Sequence, residues 1–441
     1  MLASSATQMM AVRITVLLYA LPFLGAAADL ELKLEPPNLV GASNDSQTHY
    51  WFPTDMAVVF NASHFLVGAR LADDCSDYFC NATGHHVSPC KASDPSHQIS
   101  LTTDGGRSFA PLWEVGGNSP WSSALQARPF LGPCTLALNS TAQLSLYQGK
   151  TWAPWESVAV VYAMDPGAGL RWRLSEQPVR YEGAETVCST GHLWGQNVIE
   201  SPDASGSRWL LSAQCDVNLT PPGQPEQKGA KALIFGSEDG HAWQLKSAVL
   251  VAAADGAPSC ASPGENTIVS LADGSLLLVA RCGGGQQLLA WVSSDTGRTW
   301  QRHALPRNMV GVMPVAVRMD NGAIVLVTGR GGQALWLNAN GDGEEWVLTN
   351  LAQSHNELVL QNSKLNGTSL QYTDAFVHFN ETGESSSYNT LRKLGANDGV
   401  VCYDRKSQSS ALPGVYSCAP PGNLDQNDHV FCMRFHVGVT A

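Results

Sequence analysis

The eight residues Ser293-Ser294-Asp295-Thr296-Gly297-Arg298-Thr299-Trp300 read as a locked turn between two strands. The Ser and Asp side chains can hydrogen-bond the turn backbone, Gly supplies a backbone angle that other residues resist, and the aromatic ring packs beneath. The phrase recurs. Thr102 to Phe109 keeps its spacing, Ser237 to Trp243 and Asn340 to Trp346 are one residue shorter, and Ser145 to Trp152 is a decayed copy. The aromatic positions 109, 152, 243, 300 and 346 lie 43, 91, 57 and 46 apart. A gap of 91 is close to two steps of about 45, a period typical of propeller blades, so one further unit hides between Trp152 and Trp243.

Each turn follows a pair of short strands. Thr267–Leu271 and Ser275–Ala280 flank Ala272-Asp273-Gly274, and Pro314–Arg318 and Ala323–Thr328 flank a similar turn. Looser versions run from Ala57 to Val67, Asn197 to Ser212 and Tyr388 to Cys402. With the region from Phe130 to Leu146 these make six units over residues 29–441. The expected fold is therefore all-β: one domain, a six-bladed β-propeller of four-stranded antiparallel blades. Two stacked sandwiches are the alternative architecture.

Composition narrows the function. The chain has 441 residues, 44% hydrophobic and 15% charged, with a net charge of −12. That is too apolar for disorder, and the acidic balance offers no general attraction for nucleic-acid phosphates. Arg13, an apolar run from Ile14 to Leu24 and the small residues Gly25 to Ala28 describe a secretory signal peptide over residues 1–28. No later stretch is apolar for long enough to form a transmembrane helix. Sequons begin at Asn44, Asn61, Asn81, Asn139, Asn218, Asn366 and Asn380. Of the 11 Cys, Cys75, Cys80 and Cys90 cluster without a Cys-x-x-Cys step, which favours disulfides over metal. The expectation is a secreted or lumenal glycoprotein, with vacuole or lysosome as further destinations and with no metal or cofactor. Gly283-Gly284-Gly285 lacks the Lys-Ser/Thr of a phosphate cradle, and His85-His86 reads as a solvated loop.

Repeated turns of this kind, Asp boxes or BNR repeats, resemble those of the sialidase (neuraminidase) superfamily, over essentially the whole chain after residue 28. Sialic acid carries a carboxylate on its anomeric carbon, which repels an anionic nucleophile. The resemblance therefore implies a Tyr activated by a Glu, with Arg residues clamping the carboxylate. Glu265 and Arg281, 16 residues apart, resemble the base and a clamp Arg. Arg330 and Arg70 end corresponding strands and resemble further clamp residues. Ser387-Tyr388-Asn389-Thr390-Leu391 resembles the stretch that bears the nucleophile, here Tyr388, and Asp404 stands where an acid orients an Arg. The general acid falls among Asp73, Asp74 and Asp77 in the loop after Arg70, with Asp74 favoured over Asp77.

One position departs from that pattern. Trp51-Phe52-Pro53 stands where the family has Arg-Ile-Pro, so the leading clamp Arg is missing. Two main readings follow. The first is an exo-glycosidase that removes terminal sialic-acid-type sugars from glycoconjugates with retention. The second is a non-catalytic propeller that binds glycan or protein. A glycosidase with paired carboxylates on a five-bladed ring is a weaker third. Sialylated or other acidic glycans are the expected partners.

Overall fold

A computed structural model describes residues 30–42, 48–73, 97–115, 134–139, 142–146, 156–165, 171–189, 193–202, 206–218, 228–249, 263–282, 288–329, 333–366, 388–405 and 429–439. The expected signal peptide, the expected decayed turn beyond Leu146, and Cys75, Cys80 and Cys90 lie outside these residues.

The described strands form small, mainly antiparallel sheets arranged as a propeller. Strands β1 (Leu30–Leu34) and β2 (Asn38–Ala42) come first in the chain. The first sheet is β3 (Thr48–Val59), β4 (Phe65–Asp73), β5 (His97–Thr102) and β6 (Ala110–Val115). Next come β7 (Cys134–Asn139), β8 (Ala142–Leu146), β9 (Glu156–Asp165) and β10 (Arg171–Glu182), then β11 (Leu193–Glu200), β12 (Trp209–Asn218), β13 (Lys228–Ser237) and β14 (Ala242–Val249). Strands β15 (Pro263–Ser270), β16 (Leu276–Cys282), β17 (Leu289–Ser293) and β18 (Gln301–His303) form a sheet. So do β19 (Val312–Arg318), β20 (Ile324–Gly329), β21 (Ala334–Asn338) and β22 (Val347–Asn350). The last sheet combines β23 (Asn389–Lys393), β24 (Asp398–Arg405) and β25 (His429–Val439) with β1 and β2, both of which pair with β25.

The expected count of six separate blades is corrected to five sheets among the described residues. The cause is an edge contact. Arg180–Glu182 of β10 pairs in parallel with Ala242–Gln244 of β14, fusing two antiparallel runs of four strands into one eight-stranded sheet. The first strands of successive runs, β3, β7, β11, β15, β19 and β23, touch in that order, and β23 returns to β3.

Both faces of these sheets are buried, and the sequence shows why. In β16, Leu276, Leu278 and Ala280 pack with Leu210, Ile234 and Ile268, while Leu277 and Val279 pack with Ala316, Ile324 and Leu326. Side chains alternate between faces, so a strand covered on both sides is apolar throughout. Helix α1 (Leu351–Asn366) was not expected. It starts where Asn350 Oδ1 accepts the Gln353 N–H at 3.0 Å, an N-cap, and it buries Leu351, His355 and Val359 on one face.

The four described turn phrases join the third and fourth strands of their runs and carry the expected hydrogen bonds. Asp295 Oδ1 accepts from Arg298 N–H (3.1 Å) and Thr299 N–H (2.8 Å), and the Ser293 hydroxyl accepts Gly297 N–H (2.8 Å). Thr102 and Asp104 do the same for Gly106, Arg107 and Ser108, and Ser237 and Asp239 for Gly240, His241 and Ala242. In the fourth phrase Asn338, two residues before the expected Asn340, takes the leading place and accepts Gly343 N–H. Gly297 has φ +84°, the left-handed region that a side chain disfavours. The rings do pack: Trp243 is fully buried, and Phe109 meets Phe65 edge to face.

Burial alone would raise the carboxyl pKa of Asp295, but the hydrogen bonds from Thr299, Ser293 and Arg298 overcome it and hold the value at about 2, against 3.8 ordinarily. A lowered folded-state pKa stabilises above the unfolded value, and the gain fades as pH falls toward the folded value. Asp295→Ala should therefore lower Tm at pH 7, with the gap to the parent narrowing between pH 3.8 and about 2. Calorimetry across that range checks it, and a constant gap would refute the account.

Candidate active site

Three chain segments meet at one end of the inner strands. In β15, Pro263 pairs with Cys282 and Asn266 with Ala280, so Gly264 and Glu265 together oppose the single residue Arg281. Such a bulge turns a side chain out of the regular alternation. Strand β19 is irregular at the same end, where the register shifts between Val312 and Val315 and Met313 adopts φ +43°. Tyr388 directly precedes β23.

Glu265 is the junction. Its Oε1 accepts the Tyr388 hydroxyl at 3.2 Å. Its Oε2 accepts Arg281 Nη1 at 2.9 Å and the Met313 N–H at 3.0 Å. Glu265 and Arg281 are 12% and 21% exposed, so their ion pair is only partly screened by water. Tyr388 and Glu265 are 123 residues apart in the chain.

The structure thus brings Tyr388, Glu265 and Arg281 together. Asp404 is fully buried in β24, one residue past the Asn389–Tyr403 pair and hence at the strand end beside Tyr388. Arg70 lies in β4 opposite Phe52 and His97, and Trp51 falls where the β3–β4 register skips; neither side chain is among those described. Asp74, Asp77 and Arg330 lie outside the described residues, Arg330 one position past the end of β20.

Sequence reading missed the polar residues that stitch one inner strand to the next. Asn197 Nδ2 of β11 donates to Thr267 Oγ1 (3.0 Å) and the Ile268 carbonyl (2.7 Å) of β15. Thr267 Oγ1 in turn accepts Ala316 N–H of β19 at 3.1 Å. Their signal is a polar residue inside an apolar strand run, which by itself names no role. A cavity of about 600 Å³ lies at the other end of the same strands, lined by Glu200, Ser270, Arg318, Asp320, Arg392 and Lys393. Ser270 is five residues, roughly 16 Å of strand, from Glu265. Among the described residues no group of three or more His, Cys, Asp or Glu is placed to hold a metal ion.

Known structures share this fold. A protein of unknown function from Dyadobacter fermentans is 14% identical, with 92% of this chain and 99% of that one covered, at a TM-score of 0.51. Trypanosoma rangeli sialidase, solved with 2,3-difluorosialic acid as a covalent intermediate, is 13% identical at a TM-score of 0.50. That match covers 91% of this chain and 58% of the sialidase chain, so this chain spans little more than half of that protein. No family model and no curated protein matches the sequence. These likenesses are of fold, and the fold they define is an all-β propeller.

The hydrogen-bond geometry predicts an unequal response to substitution. Tyr388→Phe removes a long hydrogen bond, 3.2 Å, from a carboxylate that keeps two other donors, and should change the unfolding free energy by about 1.5 kcal/mol or less. Arg281→Ala leaves the Glu265 carboxylate without its counter-ion and should cost about 1.5–3 kcal/mol. Urea denaturation of the two variants measures the difference, and equal losses would contradict it.

Proposed function

We propose that this protein is a sialidase-like exo-glycosidase that hydrolyses terminal sialic-acid-type sugars from glycoconjugates with retention of configuration. The observation that carries this reading is the contact of the Tyr388 hydroxyl with a Glu265 carboxylate that is itself held by Arg281. A neutral phenol approaches an anomeric carbon bearing a carboxylate without the repulsion that a second carboxylate would meet. Glu265 takes the phenolic proton as the Tyr388 oxygen bonds to that carbon. The glycosidic C–O bond breaks, and the leaving oxygen takes a proton from an acid that we assign to Asp74. Water then cleaves the sugar–tyrosine bond, and its proton passes to Asp74 while the tyrosine recovers its own from Glu265. Arg281, Arg330 and Arg70 are assigned to the substrate carboxylate and Asp404 to orienting a guanidinium.

The two described disulfides, Cys188–Cys215 and Cys402–Cys432, are compatible with an oxidising compartment. Among the described residues no helix is long and apolar enough to cross a membrane. We accordingly read residues 1–28 as a secretory leader and residues 29–441 as one sialidase-like domain with Asp-box turns, acting in the secretory route or beyond. Trp51, standing where the leading clamp Arg is expected, favours a second reading in which the propeller binds acidic glycans without hydrolysing them.

Release of 4-methylumbelliferone from its sialoside separates the readings. The parent should turn over, and Tyr388→Phe and Glu265→Gln should each lower kcat by roughly 10²–10⁴. No turnover at any pH from about 4 to 8 would remove the enzymatic reading, that range spanning the ordinary carboxyl and imidazole pKa values.

A further inference from the structure

The innermost strands β15 and β19 lie side by side without a backbone ladder between them, and side chains of β15 take up the N–H groups of β19 instead. Thr267 accepts the N–H of Ala316. In a regular strand the N–H groups two residues apart point the same way, so the next one offered toward Glu265 would belong to residue 314. Residue 314 is proline and has no N–H.

The chain meets this with a bulge. Met313 and Pro314 together oppose the single residue Thr328, and Met313 takes φ +43°, which non-glycine residues rarely adopt. Its N–H then reaches Glu265 Oε2 at 3.0 Å. The backbone before it is shaped for this as well. Gly311 has φ +145°, and a Cβ there would sit 2.5 Å from the Gly329 carbonyl oxygen, so no side chain fits.

Resting on the reading of Tyr388 and Glu265 above, we propose that Met313 is a positioning residue whose strained backbone N–H fixes the Glu265 carboxylate. With Oε2 held by Met313 and Arg281, Oε1 is left facing the Tyr388 hydroxyl, the atom from which the proton must leave. The backbone angle carries the role. The thioether side chain, buried at 5% exposure, has no donor to offer a carboxylate.

Two substitutions invert the order that packing alone predicts. Met313→Gly removes the buried side chain but keeps the angle accessible. Met313→Val retains a buried apolar side chain but resists positive φ. On a sialoside, Met313→Gly should keep kcat within about three-fold, and Met313→Val should lose roughly ten- to hundred-fold in kcat with KM changed by less than about three-fold. A glycine variant as slow as or slower than the valine variant overturns the proposal. Met313→Asn, which also tolerates positive φ, replaces the glycine variant if that one does not fold.

A second measurement is independent of turnover. In [15N]methionine-labelled protein, the Met313 amide is assigned by its loss in Met313→Asn. Its proton should resonate at low field and move upfield in Glu265→Ala, or in Glu265→Gln if the alanine variant does not fold. An unmoved resonance overturns the proposal even where the sialoside assay succeeds. Absence of turnover with a shifted resonance removes the enzymatic reading and leaves the hydrogen bond established.

Discussion

An inner edge of a propeller sheet faces another sheet across a shared axis, so its backbone N–H and C=O groups have no ladder to join. Leaving such groups buried and unpaired costs free energy comparable to a lost hydrogen bond. Here the edges are closed by side chains. Asn197 crosses from β11 to the Ile268 carbonyl of β15, and Thr267 receives Ala316 N–H from β19. Glu265 is the next member of the series, receiving Met313 N–H. The candidate base is therefore part of the same polar seam that joins inner strands. Its position follows from backbone satisfaction as much as from any demand of chemistry.

The seam also explains why distant segments converge. Glu265, Arg281, Met313 and Tyr388 belong to three successive sheets, each rigid because its alternate side chains lock into a neighbour on either face. Bulges in β15 and β19 break the alternation only at the end where these residues meet. The opposite end keeps regular pairing and opens into the cavity around Arg318 and Arg392. Rigid sheets with irregular tips give a site with fixed walls and freely chosen side chains, the arrangement that lets one fold host many activities.

Much of this was legible in the sequence. The spacing of Phe109, Trp243, Trp300 and Trp346 disclosed the repeat because a locked turn needs specific residue types at fixed offsets. Glu265 and Arg281 stand out in the sequence only through a spacing of 16 that resembles a family's, and the hairpin of β15 and β16 is what sets them opposite each other. What stayed hidden depends on contacts between elements. The merging of β10 with β14 rests on three residue pairs whose sequence, Arg180-Tyr181-Glu182 against Ala242-Trp243-Gln244, carries no pairing signal. The Met313 angle was likewise silent, since only the proline beside it and the glutamate opposite give it a purpose. Helix α1 escaped because it falls between the turn phrase ending at Trp346 and the stretch beginning at Ser387, where no repeat phrase directs attention.

The sheet that joins β1 to β25 ties the earliest described strand to the last, with β25 lying between β24 and β1. During synthesis on a ribosome, Leu30–Leu34 thus emerges long before the strand that will cover it, and its open edge must be shielded from other chains meanwhile. The sheet that holds β23, and with it the stretch bearing Tyr388, is complete only once β25 has joined β24 to β1. A chain interrupted before β25 would carry Glu265, Arg281, Met313 and Tyr388 while leaving β1 and β24 without the strand between them.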